Sequence, residues 1–438
     1  MDATTLDVSA KVRRQYEDYP YPPRNPADEK KRLIRTYLDT LGVLNHHCFA
    51  GRQTFRQRFR ALVAGGGTGD SLIHLAWQLR NTNAEVHYLD ISRSAKEIAR
   101  QRARVRGLGN IVWHDASLLD LPRMGLPKFD YVNCIGVLHH LEDPEQGLAA
   151  LRTVLADGGA MGLMLYGQIG RTGVYQLQDL LRRISGDESD GSTGLDVARQ
   201  VLGALPKTNW FRHSWDWFDD HRKFGDSGIH DLFLHARDRA YTVPQLHELL
   251  ASAGLRLVTY TADERIRLRP EFWLPEGRAR RRLLALDPIQ RDAVCELLCG
   301  SIICHDFYAS ASSQTLAELG DLENVPFFLP GNLLVPDRLD AAGKLTEIFR
   351  RAAGRTATLE YEGAKLPLPT SRAAAAFLNH VDDQATVGQI LDRIRAELPG
   401  RPSDEELLAD VRPVWEVLAL FDMLLLRHNS VPSLTAGM

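Results

Sequence analysis

Short apolar runs alternate with stretches of helical period along residues 60–166. Ala61-Leu62-Val63-Ala64 is uniformly apolar and stops at a row of glycines, the pattern of a strand buried on both faces. Asp70 to Arg80 then carries apolar positions at helical spacing. Glu85 to Leu89 reads as the next strand and Ser94 to Arg106 as the next helix, with Ser94 placed to cap it. Asn110 to Trp113, Tyr131 to Ile135 and Ala160 to Tyr166 continue the strands, and Pro144 to Leu155 is a helix between the last two. Strand and helix alternating in short periods predict an α/β fold, a parallel sheet with helices on both faces.

The rhythm breaks after Tyr166. Residues 167–240 hold a Gly/Ser-rich piece, Ser185 to Gly194, and then an aromatic, acidic and histidine-rich piece from Trp210 to His235. Thr242-Val243-Pro244 opens a helix that Gly254 ends, and Leu255 to Thr259 and Ile302 to Ala309 read as a sixth and a seventh strand around an insertion at 262–300. Pro326, Pro330, Gly331 and Pro336 punctuate a linker over 314–339, and 340–438 carry short helical patterns. Ahead of the first strand, 1–58 form a polar N-terminal cap in which Tyr19-Pro20-Tyr21-Pro22-Pro23 is extended, because proline fixes φ and donates no hydrogen bond.

Composition narrows the class. A chain of 438 residues is too long for one core. Apolar content of 44% and charged content of 25% are those of a globular protein. The net charge of −3, with lysine and arginine spread along the chain, gives no basic stripe for nucleic acid. The five cysteines make no regular framework, which favours free thiols in a reducing compartment. No signal-like or membrane-length apolar run is present, so a cytoplasmic location is expected.

The chemistry begins at Gly65-Gly66-Gly67-Thr68-Gly69. The loop follows a strand and opens a helix, where glycines let the chain turn tightly and a ligand approach the backbone. Its G-x-G-x-G spacing is not the G-x-G-x-x-G of dinucleotide enzymes, and no lysine follows as in a phosphate-binding loop. Asp90 closes the second strand, where a carboxylate can accept both hydroxyls of a ribose. Asp115-Ala116 follows the third strand, where a carboxylate can accept from an adenine amino group. Singly, each aspartate is equally a solvated loop residue or a helix cap.

Together these motifs resemble the class I S-adenosylmethionine-dependent methyltransferases. The resemblance continues through Phe129-Asp130-Tyr131-Val132, Gly136-Val137-Leu138-His139-His140-Leu141-Glu142-Asp143-Pro144 and the Leu155-Ala156-Asp157-Gly158-Gly159 turn. It covers 55–166 closely and 242–310 loosely. It implies a Rossmann-like sheet of seven strands over residues 59–313, S-adenosylmethionine as cofactor, and cofactor contacts at Gly65 to Gly69, Asp90, Ile91, Asp115, Ala116, Cys134 and Ile135. One position departs from the family. An acidic residue often stands two positions before the first loop glycine, and here that residue is Val63. The cofactor's amino group then needs another acceptor, a backbone carbonyl or a residue of the N-terminal cap.

The family builds its acceptor pocket from N-terminal additions and from the insertion after the fifth strand, which points to Tyr21, His140, Trp217, Asp231 and Tyr241. The aromatic insertion is either a lid over the acceptor or a satellite core. The Tyr-Pro arm either folds over the cofactor or packs as a plain extended segment. Asp231 and His235 are four residues apart and would share a helix face, which makes His235 the candidate base; a structural His–Asp pair is the competing reading. No metal is expected. His139 and His140 are adjacent in a turn and poorly placed to share an ion, and Cys295, Cys299 and Cys304 lack a paired C-x2-C and read as buried thiols. Leu378 to Leu391 and Leu407 to Leu426 resemble the winged-helix-like module of bacterial protein-lysine methyltransferases, with a packing or dimerisation domain as the alternative. The expected function is methyl transfer to a protein or peptide. The alternatives are a small metabolite as acceptor and a non-catalytic nucleotide-fold scaffold.

Overall fold

The computed structural model describes residues 14, 16–186, 191–330, 351, 354–361 and 364–434. Residues 1–13 of the expected cap, 187–190 of the Gly/Ser-rich piece, 331–339 of the expected linker and 340–350 of the expected C-terminal domain lie outside them. Two compact units are present. The first takes residues up to Asp39, Arg56–Leu257 and Asp287–Ala311; the second takes Thr40–Phe55, Val258–Leu286 and the chain from Ser312. Residues 40–55, expected in the cap, and 262–286 of the second insertion expected at 262–300 thus join the C-terminal unit, together with 258–261.

The strands in chain order are β1 (Arg60–Ala64), β2 (Glu85–Asp90), β3 (Ile111–Asp115), β4 (Phe129–Ile135), β5 (Leu155–Gly167), β6 (Ala240–Tyr241), β7 (Arg256–Tyr260), β8 (Cys304–Ser310), β9 (Asn324–Phe328), β10 (Arg355–Tyr361), β11 (Ala364–Thr370) and β12 (Leu424–His428). The central sheet runs β3-β2-β1-β4-β5-β8-β7, with the two-residue β6 added beside the end of β5. β1, β2, β3, β4 and β5 pair in parallel, and β8 is antiparallel to β5. This is the expected Rossmann-like seven-stranded sheet. β1 is buried along Ala61–Ala64, which is why its sequence does not alternate.

Local signals set the helices on this sheet. The helix Arg93–Arg106 is capped by Ser92, not by Ser94: the Ser92 side chain accepts from the Ala95 N–H, and Gly107 ends the helix in the left-handed region at φ 67°. Asp143 caps Pro144–Val154 by accepting from the Gln146 N–H. Within the first insertion, Val174, Leu177, Phe211, Phe218, Leu232 and Phe233 belong to a separate buried cluster, so this segment has its own satellite core.

The second unit contains the helix Leu41–Cys48, an antiparallel pair of β9 with β12 and an antiparallel hairpin of β10 with β11. The helices Arg372–Asn379, Val387–Glu397 and Asp404–Leu420 bury Phe377, Ile390, Leu391, Val411 and Leu418 in a common core. Thr386 and Ser403 open the last two helices with reciprocal capping boxes.

Candidate functional site

A cavity of about 600 Å³ opens at the carboxyl ends of β1, β2 and β4 in the first unit. Ligands bind α/β sheets at this edge, because the connecting loops part there. Among its lining residues are Gly65, Gly66, Gly67, Asp90, Ile91, Ala116 and Ile135, together with Tyr21, His140, Trp217 and Asp231. The cavity thus brings together residues separated by most of the first unit's sequence.

The glycine loop is held from three sides. The Gly67 N–H donates to Asp90 Oδ2 at 2.7 Å, and the Tyr88 hydroxyl donates to the Gly67 carbonyl at 2.7 Å. Gly67 has φ +49°, and a Cβ on it would stand 2.7 Å from the Tyr21 carbonyl oxygen, so a side chain is excluded on both counts. Asp90 Oδ1 accepts from the Ser92 N–H at 2.8 Å. Burial raises the Asp90 pKa, and these backbone donors pull it back down.

The N-terminal arm folds across the loop. The Thr68 hydroxyl donates to the Pro22 carbonyl at 2.6 Å, and the Ser92 hydroxyl to the Tyr16 carbonyl at 2.9 Å. Glu17 accepts from the Arg93 and Ser94 N–H groups, which satisfies open donors of the helix that begins there. The Arg24 guanidinium grips Asp70 through Nε and Nη2, and the buried Arg102 joins the same carboxylate to Glu29. Tyr16, Tyr21 and Pro22 line the cavity as a result.

The opposite end is walled by rings and carboxylates: Tyr166, Trp217, Phe218, Asp220 and Asp231. Burial raises the Asp231 pKa to about 7, Arg171 opposes that rise, and the Tyr166 hydroxyl approaches Asp231 Oδ2 at 3.5 Å. Asp220 is also raised by burial, while a hydrogen bond from the Tyr21 hydroxyl lowers it. The buried Arg171 guanidinium lies 3.5 Å from the centre of the Tyr166 ring and pairs with Asp238 at 3.3 Å.

The fold places the remaining candidate residues partly in the cavity and partly outside it. The helix Gly225–Phe233 ends before His235, so the four-residue spacing from Asp231 does not place the two on one helix face. The His235 Nδ1 accepts from the Arg237 N–H at 3.1 Å, which puts the proton of the neutral ring on Nε2, 3.3 Å from the Tyr16 hydroxyl. Its ring stacks on His140 at 3.8 Å, and burial lowers its pKa well below the usual value. His140 itself lines the cavity and donates from Nδ1 to the Arg237 carbonyl at 2.8 Å; burial lowers its pKa to about 4. Asp115 points outward with a side chain 58% exposed and pairs with Lys96, while Ala116 beside it lines the cavity. Cys134 is fully buried within β4, where its thiol is pushed up to about 12. Thr68 is buried under the arm, and Gly69 precedes the first residue of Asp70–Gln78. Tyr241 is buried in β6, and its carbonyl accepts from His305 Nε2 at 3.0 Å. No cluster suited to a metal ion occurs among the described residues.

Residues 62–161 match the family described as Methyltransferase domain. Over 323 residues the chain is 31% identical to an uncharacterized protein of Synechococcus sp., covering 71% of this chain and 73% of that one. The chain belongs to the class I S-adenosylmethionine-dependent methyltransferases. S-adenosylmethionine is accordingly the cofactor of this methyltransferase, and the cavity's donor set fits it. A carboxylate at a strand end suits ribose hydroxyls, and Ile91, Ala116 and Leu118 offer apolar surface for a flat ring. Methyltransferase GfsG of Streptomyces halstedii is 32% identical over 105 residues, covering 24% of this methyltransferase and 36% of GfsG. The fold is shared with PKMT2 from Rickettsia typhi in complex with AdoHcy, at a TM-score of 0.60 and 15% identity, over 90% of this chain and 76% of that one. A second structure of PKMT2 from Rickettsia typhi gives a TM-score of 0.61 at 16% identity, over 93% and 78% of the two chains.

The aromatic and acidic wall leaves little trace in the sequence. Tyr166, Arg171 and Asp220 carry no motif, and Asn133 sits inside an ordinary buried strand. Only the density of rings and carboxylates between Trp210 and Asp231 signalled a built surface.

Proposed function

We propose that this methyltransferase transfers a methyl group to an amine on a protein or peptide side chain, in the cytoplasm. The observation that carries the reading is the pairing of Asp220 and Asp231 with aromatic rings in one cavity wall. Buried carboxylates and ring faces together attract a cation, and a protonated amine on a long stem reaches such a wall from outside. Trp217 lines the cavity while 45% exposed, and Trp210 is 61% exposed, so rings of the insertion also offer apolar surface to a larger partner. The likeness of 378–426 to the module of protein-lysine methyltransferases, and the fold shared with PKMT2, support a polypeptide acceptor.

In this reading the glycine loop, Asp90, Ile91, Ala116 and Ile135 hold the cofactor, which when bound supplies a methyl group on a sulfonium and keeps the thioether. Asp220 and the rings of Tyr21 and Trp217 orient the acceptor amine. An ammonium has no lone pair, so a proton must leave before the nitrogen attacks. Asp231 takes it: a carboxylate titrating at about 7 accepts protons near neutral pH. The Tyr166 hydroxyl approaches that carboxylate, and the charge of Arg171 favours its ionised form.

Incubation of the protein with tritiated-methyl cofactor and cell extract, followed by size fractionation and hydrolysis, tests the proposal. Label recovered as an N-methylated amino acid from the polypeptide fraction is expected. Label confined to small molecules favours the metabolite reading instead.

A further inference from the structure

Val63 leaves a buried cofactor cavity without the acid that the family often places at that point. The neighbouring strand offers a different acceptor. Val63 on β1 is the register partner of Asn133 on β4. Both residues line the cavity, and Asn133 is only 2% exposed. Its amide is held in one orientation. Nδ2 donates to Asp39 Oδ1 at 2.8 Å and faces the Ser71 hydroxyl at 3.4 Å. A carboxylate only accepts, so the nitrogen must be the atom that faces Asp39. Oδ1 is then the polar atom that Asn133 has left to offer, and no described residue donates to it.

Asp39 is built to keep that orientation. It is fully buried, and it accepts from the Thr36 hydroxyl at 2.6 Å and the Tyr131 hydroxyl at 3.2 Å as well as from Asn133. The Tyr131 and Tyr308 hydroxyls both donate to the adjacent Leu38 carbonyl at 2.8 Å, which ties this end of the cap to β4 and β8. Thr36 and Ser71 line the cavity with Asn133, and Ser71 Oγ lies 3.4 Å from its Nδ2. A buried carboxylate needs hydrogen-bond donors, and two of those of Asp39, Thr36 and Asn133, line the cavity.

We propose that Asn133 Oδ1, oriented by Asp39, accepts the α-ammonium of the cofactor's amino-acid end in place of the acid that Val63 replaces. Asn133 is the contact residue and Asp39 the positioning residue. The negative charge of Asp39, one amide away, favours the cationic end over a neutral one.

Calorimetric titration of the full-length protein tests this with three ligands. These are S-adenosylhomocysteine, its analogue lacking the α-amino group, and 5′-methylthioadenosine, which lacks the amino-acid part. In the wild type the deaminated analogue should bind roughly 10- to 100-fold more weakly than S-adenosylhomocysteine, the range for a hydrogen bond to a charged group. Asn133→Ala should lose a similar factor for S-adenosylhomocysteine, keep its methylthioadenosine affinity, and no longer distinguish the deaminated analogue. Asp39→Asn should reduce the same discrimination without changing methylthioadenosine binding. Equal binding of the amino and deaminated ligands by the wild type overturns the proposal without any variant. Equal weakening of all three ligands by Asn133→Ala overturns it too, since that marks a general packing role.

Discussion

Asp90 holds the loop that it faces: its Oδ2 accepts the Gly67 N–H at 2.7 Å while its Oδ1 accepts the Ser92 N–H at 2.8 Å. A carboxylate has more acceptor sites than these two donors fill, and Asp90 lines the cavity. The carboxylate fixes the turn, and in the proposed reading it also receives the ribose hydroxyls. Asp90→Ala removes both. Two hydrogen bonds to a charged group amount to about 3–6 kcal/mol, so S-adenosylhomocysteine affinity should fall by at least about 100-fold. Calorimetry reads this directly, and an unchanged affinity refutes the role given to Asp90.

Gly67→Ala attacks the same loop from the arm side. The left-handed conformation costs a side-chain-bearing residue roughly 1–2 kcal/mol. The new Cβ would also stand 2.7 Å from the Tyr21 carbonyl oxygen, so the arm must lift. Limited proteolysis should show faster cleavage around residues 16–24 in the variant, with cofactor affinity reduced in parallel. An arm as protected as in the wild type contradicts the packing described.

These two relationships mark where the sequence was legible. The glycine loop and Asp90 lie at strand ends, and strand ends follow from apolar runs that stop abruptly, as Ala61–Ala64 does before Gly65. Asp115 was placed by the same logic but turns outward, because Lys96 on the neighbouring helix offers an ion pair that a one-dimensional pattern cannot reveal. The shared helix face expected for Asp231 and His235 is absent for a different reason. The helical spacing to Asp231 presumed a helix that stops at Phe233, and the ring instead spends its nitrogens on Arg237 and Tyr16. The wall of rings and carboxylates draws on Tyr21, Tyr166, Arg171 and Asp220, which only long-range packing unites. Residues 40–55 and 258–286 join the second unit, and chain order carries no record of that.

Asp231 gives the proposed chemistry a pH signature. Burial is the main cause of its rise to about 7; Arg171 opposes the rise, Asp220 and Asp238 add to it, and Tyr166 opposes it through a hydrogen bond. The base form is the deprotonated one, so kcat/KM should climb by about tenfold per pH unit below that value and level off above it. Asp231→Asn should lower kcat by about 100- to 10,000-fold and abolish that limb. Substitution of His235 by Gln should cost far less, because both of its ring nitrogens are already engaged within the protein. A larger loss at His235 than at Asp231 returns the base to the histidine.

The second unit carries its own polar network, and it should set that unit's acid sensitivity. Arg265 Nη2 lies 2.5 Å from Asp422 Oδ2, and His47 Nε2 lies 2.7 Å from Asp422 Oδ1, with Asp422 fully buried. Beside them His46 Nδ1 accepts from the Leu426 N–H at 3.1 Å. Burial first, and then Arg265, lower the His46 pKa to about 3 and hold His47 well below its usual value. A histidine that is neutral when folded but protonates near 6.5 when unfolded adds stability that is complete above the unfolded pKa. That contribution is lost as pH falls through the interval from about 6.5 to about 3. In urea unfolding monitored by tryptophan fluorescence, the two histidines should therefore lower the midpoint below pH 6.5, against the opposite trend of Asp422, whose pKa burial raises. Asp422→Asn leaves Arg265 as a buried cation without its carboxylate and should cost about 3–5 kcal/mol at neutral pH. His46→Gln keeps an acceptor but does not titrate, so it should flatten the acid limb while changing neutral-pH stability less than Asp422→Asn. An acid limb of unchanged slope in that variant assigns the sensitivity to other groups.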